Sequence, residues 1–137
     1  MQHRLKIGDV FMLWFEGIGS VQSGWRPGVV FQNNIGNLHS PNTVVLPLTT
    51  NLKKLAMPTH VLVKAKESGL PRDSVVLCEN PQSVSKDQLG EYVTTLPEKY
   101  IKDIAVAQIL ASSAIAFLDP KDVIEVWRRA VELTMAS

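Results

Sequence analysis

The feature that most limits the fold of this chain is a series of short apolar runs in its first two thirds. Five runs rich in Val, Leu and Phe are each bounded by Gly, Pro, Asn, Asp or Ser, a pattern typical of strands separated by turns. They are Val10–Phe15, Gly28–Gln32, Thr43–Leu48, His60–Val63 and Ser74–Glu79, with Gln32–Asn37 predicted as a turn. A parallel sheet needs crossovers of a dozen or more residues, usually helical, and no such helix is indicated between these runs. The pattern therefore predicts a compact, mainly antiparallel sheet or barrel.

The last third of the chain has helical periodicity. Small and apolar side chains recur there at spacings of three and four after Pro97, which is predicted at the first helical position. From Ile104 onward the segment is apolar nearly all round, which is typical of a helix covered on more than one side, by the sheet and by a second subunit. A second helix is predicted from Asp119, an N-cap, followed by Pro120.

This second helix divides the chain into two parts. We expect residues 1–118 to form a barrel domain with its helix, and residues 119–137 to form an additional C-terminal helix. Val123, Trp127 and Val131 lie along one face of that helix, and the charged residues lie largely on the others. We expect the apolar face to pack on the barrel or across a dimer interface.

Composition limits the function classes. With 137 residues, of which 45% are hydrophobic, the chain can bury a core without disulfides or a structural metal. The net charge of +1 excludes an acidic tail or a strongly basic nucleic-acid coat, but leaves room for a local basic site. The single cysteine, Cys78, excludes a disulfide framework and is expected to be a small buried residue. No secretory or membrane-spanning segment is visible, so we expect a cytoplasmic protein without a membrane partner.

Two residues are candidates for phosphate chemistry. Arg26 follows a Gly- and Ser-rich segment and precedes Pro27, which favours an extended backbone that would hold the guanidinium at the mouth of the next strand. A guanidinium in that place suits bidentate phosphate binding, although it could equally satisfy a nearby carboxylate. Thr49 ends a predicted strand, and its hydroxyl could donate to a phosphate oxygen or be an ordinary strand-end side chain.

Metal and cofactor motifs are missing from the sequence. The histidines His3, His39 and His60 have no metal-ligand spacing, and no P-loop, dinucleotide fingerprint or nucleophile elbow occurs. We therefore expect no metal and no cofactor. His60 could be a general acid or base, or simply a polar residue on a strand face.

A set of short motifs occurs in a fixed order along the chain. It includes Gly8-Asp9-Val10, Gly19-Ser20, Gln22, Arg26-Pro27, Gln32-Asn33, Ile35-Gly36-Asn37, Ser40-Pro41, Pro47-Leu48-Thr49, Pro58-Thr59-His60-Val61 and Leu77-Cys78-Glu79. With these motifs the chain resembles the MazF/PemK toxin family of bacterial toxin–antitoxin systems, from about Ile7 to Leu118. The resemblance implies an α+β fold, namely a small SH3-like barrel of the CcdB/Kid type with C-terminal helices, and a homodimer.

The same resemblance implies a function. Family members are metal-independent endoribonucleases that cut single-stranded mRNA at short sequences and are inhibited by an antitoxin protein. Arg26 and Thr49 match the residues placed at the scissile phosphate. The further expected RNA-binding residues are Ser20, Gln22, Gln32, Asn33, Asn34 and His60.

One departure from the family pattern leaves an alternative open. Many relatives carry a Glu, a proposed proton carrier, where this chain has Val21, and a valine side chain cannot carry a proton. The general base is therefore not identified by the sequence. The alternative hypothesis is a catalytically weakened MazF-like module that binds an antitoxin-like peptide or RNA.

Overall fold

The fold is a strongly curled antiparallel sheet followed by two C-terminal helices, seen in a computed structural model that describes residues 3–17, 23–53 and 57–135. The strands are β1 (Asp9–Phe15), β2 (Gly24–Val30), β3 (Asn42–Thr49), β4 (His60–Val63), β5 (Ser74–Leu77), β6 (Gln82–Ser85) and β7 (Tyr92–Thr95). The helices are α1 (Asn34–His39), α2 (Ala65–Ser68), α3 (Glu98–Ser112) and α4 (Pro120–Met135), with short 3₁₀ turns at Lys86–Gln88 and Ala114–Phe117.

Strand β3 is the centre of the sheet. The strand order is β4-β5-β3-β2-β1-β7, and β6 also pairs with β3. Every pairing is antiparallel. This confirms the predicted α+β class with a mainly antiparallel, barrel-like sheet.

Alternation along the strands divides the interior into two apolar clusters. Val29, Leu46 and Leu48 point to the face covered by α3, where they belong to the larger cluster. Val30 and Val45, one residue out of step, point to the other face and belong to the smaller cluster with Leu13 and Phe15. This is the period of two expected of a strand that is buried on both faces.

Several elements differ from the sequence prediction. Strand β2 begins at Gly24 instead of Gly28, because its ladder with β1 extends to the pair Phe15 and Gly24. Strands β6 and β7 were not predicted, since each has only four residues and few apolar ones. The segment predicted as a turn carries α1, because the Asn33 side chain caps the helix by accepting a hydrogen bond from the Gly36 N–H at 2.9 Å.

The two C-terminal helices are separated by a sharp break. Helix α3 has Pro97 at its N-cap, one position before the predicted one, and ends at Ser112 because Ser113 adopts a left-handed conformation with φ of 54°. Helix α4 begins as predicted: the Asp119 carboxylate accepts a hydrogen bond from the Asp122 N–H at 2.9 Å. No helix among the described residues is both long and apolar enough to cross a bilayer.

Helix α4 is the least covered element of the chain. Its apolar face consists of Ile124, Val126, Trp127, Val131 and Leu133, all exposed, and Trp127 is 67% exposed. The opposite side is charged and pairs within itself, since Glu125 binds Arg128 at 2.6 Å and Arg129 at 3.0 Å. The packing of Trp127 on the barrel is therefore not observed in the single chain, and packing across a dimer interface stays a prediction.

Candidate active site

Strand register determines how Arg26 and Thr49 meet. Strands β2 and β3 pair antiparallel with Gly28 opposite Pro47 and Val29 opposite Leu46. Continuing that register by two residues places Arg26 opposite Thr49. Because directly opposite residues point to the same side of a sheet, both side chains share one face. The local sequence favours this geometry, since Pro27 biases Arg26 toward the extended conformation it has in β2.

The two side chains line one pocket at this end of the sheet. The pocket has a volume of about 300 Å³ and is lined by Trp25, Arg26, Pro27, Leu48, Thr49, Thr50 and Ser74. We call it the Arg26–Thr49 pocket. Two residues separated by more than twenty positions in the sequence thus line one pocket, where the sequence predicts a phosphate site.

Hydrogen-bond donors dominate the chemistry of this pocket. The Arg26 guanidinium carries a positive charge and only donates hydrogen bonds. The Thr49 hydroxyl oxygen accepts a hydrogen bond from the Asn51 N–H at 3.2 Å, which leaves the hydroxyl hydrogen to point at another acceptor. A cation and a hydroxyl donor on one face suit an anionic, oxygen-rich ligand such as a phosphodiester.

Three of the expected RNA-binding residues lie elsewhere. Gln32, Asn33 and Asn34 follow the far end of β2, about 20 Å from Arg26 along an extended strand. Their side chains hold α1 in place: Gln32 donates to Asn37 at 3.2 Å, and Asn34 accepts from the Ile7 N–H at 2.8 Å. The structure shows a local structural role for them, and their contact with RNA stays a prediction.

His60 lies on the same strand ladder but not in the pocket lining. On β5, His60 pairs with Leu77, whereas Thr49 pairs with Val75. The two positions on β5 are two residues apart. Its Nε2 lies 2.5 Å from a carboxylate oxygen of Glu79, and only 3% of its side chain is exposed. A buried ring can touch RNA only after a local rearrangement, so its RNA-binding role also stays a prediction. The remaining expected residues, Ser20 and Gln22, lie outside the described residues, as does Val21.

Sequence reasoning missed two residues of the pocket wall. Trp25 and Ser74 both line it. The signal for Trp25 was its place next to Arg26, because an aromatic residue beside a cationic one is a common arrangement in nucleic-acid sites. Ser74 occurs in the motif Asp73-Ser74-Val75, but its place in the pocket could not be predicted, since only the pairing of β5 with β3 brings it near Thr49. Among the described residues, no group of three His, Cys, Asp or Glu side chains lies close enough to hold a metal ion.

Comparison with known proteins identifies the family. The sequence model described as "PemK-like, MazF-like toxin of type II toxin-antitoxin system" matches residues 6–111. This chain belongs to that family. Within it, the chain is 36% identical over 114 residues to Endoribonuclease EndoA of Bacillus subtilis, a match that covers 82% of this chain and 98% of that protein. It is also 36% identical over 101 residues to Endoribonuclease MazF of Staphylococcus saprophyticus, covering 73% of this chain and 84% of that one.

Solved structures agree on the fold of this family member. MazF from Deinococcus radiodurans superposes with a TM-score of 0.68 at 19% identity, covering 82% of this chain and 99% of that one. The Mycobacterium tuberculosis toxin MazF-mt6 superposes with a TM-score of 0.64 at 25% identity, covering 77% and 96%. The family match ends at residue 111, so α4 lies beyond it.

Proposed function

We propose that this chain is a toxin-type endoribonuclease that cleaves single-stranded RNA at short sequences. The observation that carries the proposal is the shared pocket of Arg26 and Thr49. Family membership and the endoribonucleases among its relatives supply the reaction class. Because mRNA is the substrate we infer, we place the activity in the cytoplasm.

The proposed reaction uses a nucleophile that RNA itself provides. The 2′-oxygen attacks the adjacent phosphorus, the bond from phosphorus to the 5′-oxygen breaks, and the products are a 2′,3′-cyclic phosphate and a 5′-hydroxyl. Arg26 would bind the non-bridging oxygens and stabilise the charge that develops on them, and Thr49 would donate to one of them. Holding the phosphate between two strands also limits its orientation relative to the attacking oxygen.

Two proton transfers complete this scheme, and Arg26 and Thr49 are poor carriers for both. A guanidinium only donates hydrogen bonds, and a threonine hydroxyl is a weak base. The proton of the 2′-hydroxyl must therefore pass to water or to another group. The donors of the pocket can lower the barrier without being the general base, because electrostatic stabilisation of the transition state is a separate contribution.

We also propose two protein partners. The family is defined by toxin–antitoxin pairs, so an antitoxin protein is the expected inhibitor, acting by covering the RNA site. The second partner is another copy of this chain. The apolar face of α4 is exposed, as are Val106 and Leu110 of α3, and exposed apolar side chains of this kind are what dimers bury.

The test of the proposed reaction is cleavage of single-stranded RNA by the purified protein in the presence of EDTA. We expect products with 2′,3′-cyclic phosphate and 5′-hydroxyl ends. Arg26→Ala and Thr49→Val should each lower kcat/KM by about 10²-fold or more, the usual cost of losing one donor to a developing oxyanion. Thr49→Ser keeps the hydroxyl and should retain most activity, whereas Arg26→Lys should not, because an ammonium cannot bind bidentately.

The matched control is Arg129→Ala, which removes the same charge from the charged side of α4. It should cleave like the parent protein. If the parent cuts no RNA, or if Arg26→Ala cuts equally well, the enzymatic proposal is wrong. Retained RNA binding without cleavage would then favour the alternative of a catalytically weakened binding module.

A further inference from the structure

Two exposed tryptophans stand together beside the Arg26–Thr49 pocket. Trp14 on β1 and Trp25 on β2 are directly opposite each other in the hairpin. Their rings lie edge to face, with centroids 6.3 Å apart and planes inclined by 78°. Trp25 is 64% exposed and Trp14 is 47% exposed. Two large aromatic side chains left open to solvent in contact with each other are unusual in a folded domain and indicate a binding surface.

Contacts around the pair hold the rings in place. The Trp14 indole N–H donates to the Glu16 carboxylate at 3.2 Å. Gly90, in the loop before β7, lies close to the Trp25 ring. A Cβ atom placed on Gly90 would be 3.6 Å from the Cζ3 atom of Trp25, which is van der Waals contact. That loop is fixed to β1 by a hydrogen bond of 2.7 Å from the Gly90 N–H to the Met12 carbonyl. A ring held in this way loses little conformational entropy when a ligand stacks on it.

Trp25 connects this aromatic surface to the proposed reaction centre at the edge of the sheet: it alternates with Arg26 along β2, so its side chain points to the other face, yet it lines the same pocket as Arg26 and Thr49. We propose that Trp25, supported by Trp14, stacks on an unpaired base next to the scissile phosphate and so positions the RNA. Every base has a π-face, so such a contact increases affinity without selecting a sequence. This inference rests on the proposed function, and it makes Trp25 a positioning residue without a role in the chemical step.

An RNA base fits the surface better than a protein segment does. A protein segment would need further apolar surface around the rings, but the neighbouring wall of the pocket presents Arg26, Thr49 and Thr50. Aromatic rings beside a guanidinium and hydroxyl donors are the combination by which proteins hold the bases and the backbone of single-stranded RNA together.

The experiment uses the tryptophans as their own reporters. The chain has three tryptophans, so Trp127→Phe leaves the pair as the only indole fluorophores. We would titrate this background protein with a random pool of single-stranded RNA, about ten nucleotides long to span a typical single-strand site, in which fluorine replaces every 2′-hydroxyl. The missing nucleophile prevents cleavage, and stacking should quench the emission in a saturable manner.

Substitutions at position 25 then separate stacking from general apolar contact. In the background protein, Trp25→Leu should raise the Kd for the fluorinated pool about tenfold or more, the expected loss from one base–aromatic stack. Trp25→Phe keeps a stacking face and should bind more tightly than Trp25→Leu. In cleavage of ordinary RNA, Trp25→Leu should raise KM by a similar factor while kcat stays within about twofold, because uniform binding is lost.

The outcomes distinguish this inference from the proposed function. Saturable quenching that Trp25→Leu weakens supports the stacking contact even if no RNA is cleaved. Arg26-dependent cleavage with unchanged KM in Trp25→Leu overturns the stacking contact alone. The stacking contact is also overturned if RNA does not quench the emission of Trp14 and Trp25, or if Trp25→Leu and its parent have equal Kd values. Quenching by an antitoxin peptide alone, without quenching by RNA, overturns it as well.

Discussion

The thiol of Cys78 shows how strongly the interior of this small barrel controls a single side chain. Cys78 is fully buried, as the sequence predicted, and it follows β5 directly before Glu79. Burial, with a smaller contribution from the Glu79 charge, raises the pKa of the thiol to about 12. A thiol is nucleophilic only as the thiolate, so the folded protein should hold this group inert at neutral pH.

Alkylation measures this directly. At pH 8 the folded protein should not react with iodoacetamide over hours, while the same protein in denaturant should take up one label, because it has one cysteine. Raising the pH toward 12 should accelerate labelling of the folded form, since the thiolate fraction grows as the pH approaches the pKa. Mass spectrometry counts the labels. Equal labelling rates in the folded and denatured states would contradict the burial of this thiol.

At the residue scale, the sequence singled out Arg26 and Thr49, which line one pocket, but not their surroundings. Arg26 and Thr49 could be singled out because Arg26 shortly precedes a predicted strand, Thr49 directly follows one, and both occur in a family motif. Gln32 was expected to bind RNA because it occurs in such a motif; its side chain donates to Asn37 of α1, and its contact with RNA stays a prediction. A motif states only which residue types recur together. Whether an amide side chain faces a ligand or a neighbouring helix is decided by tertiary packing.

At the element scale, the hairpin of β1 and β2 depends on a close approach by the loop before β7. The Gly90 N–H donates to the Met12 carbonyl at 2.7 Å, and a Cβ at position 90 would come within 2.5 Å of that same oxygen. The backbone therefore cannot keep this contact with any larger residue at position 90. Long apolar strands such as β3 were predictable from sequence, whereas β6, β7 and this contact were not, because they arise only from pairing with distant strands.

Gly90→Ala tests this approach. The added methyl must push the loop away from β1, and we expect a loss of about 1–3 kcal/mol in the free energy of unfolding, the usual range for forced overpacking. The matched control is Gly24→Ala, where a Cβ would meet nothing within 4 Å. That variant should be neutral or slightly stabilising. Chemical denaturation gives both values, and equal stability of the two variants would contradict the close contact.

At the scale of the whole molecule, α4 is the feature that sets this chain apart from the matched region of its family. The helix lies beyond residue 111, and its apolar face is open to solvent in the single chain. Charged residues on its other side already pair with one another. A helix whose charged side already forms ion pairs and whose apolar side is exposed is expected to bury the apolar side against another surface. The proposed second copy supplies such a surface.

Removal of this helix should change the assembly. We expect the full chain to sediment as a dimer. In a chain truncated after Leu118, or carrying Trp127→Asp, the Kd of the dimer should be about 100-fold higher. The reason is that a buried tryptophan contributes several kcal/mol at about 25 cal/mol per Å². Arg128→Ala changes only the charged side and is the matched control. Analytical ultracentrifugation measures the association, and unchanged sedimentation of the truncated chain would contradict a dimer held by α4.

The pairing of β2 with β3 also restricts how this protein can vary. A single residue inserted into β2 between Arg26 and Gly28 would turn the guanidinium to the opposite side of the sheet, away from Thr49, while leaving most of the ladder intact. Insertions in the connections at either end of these strands carry no such penalty. Variants of this chain can therefore differ in the length of these connections, but the spacing inside the two strands must stay unchanged if Arg26 and Thr49 are to share one side of the sheet.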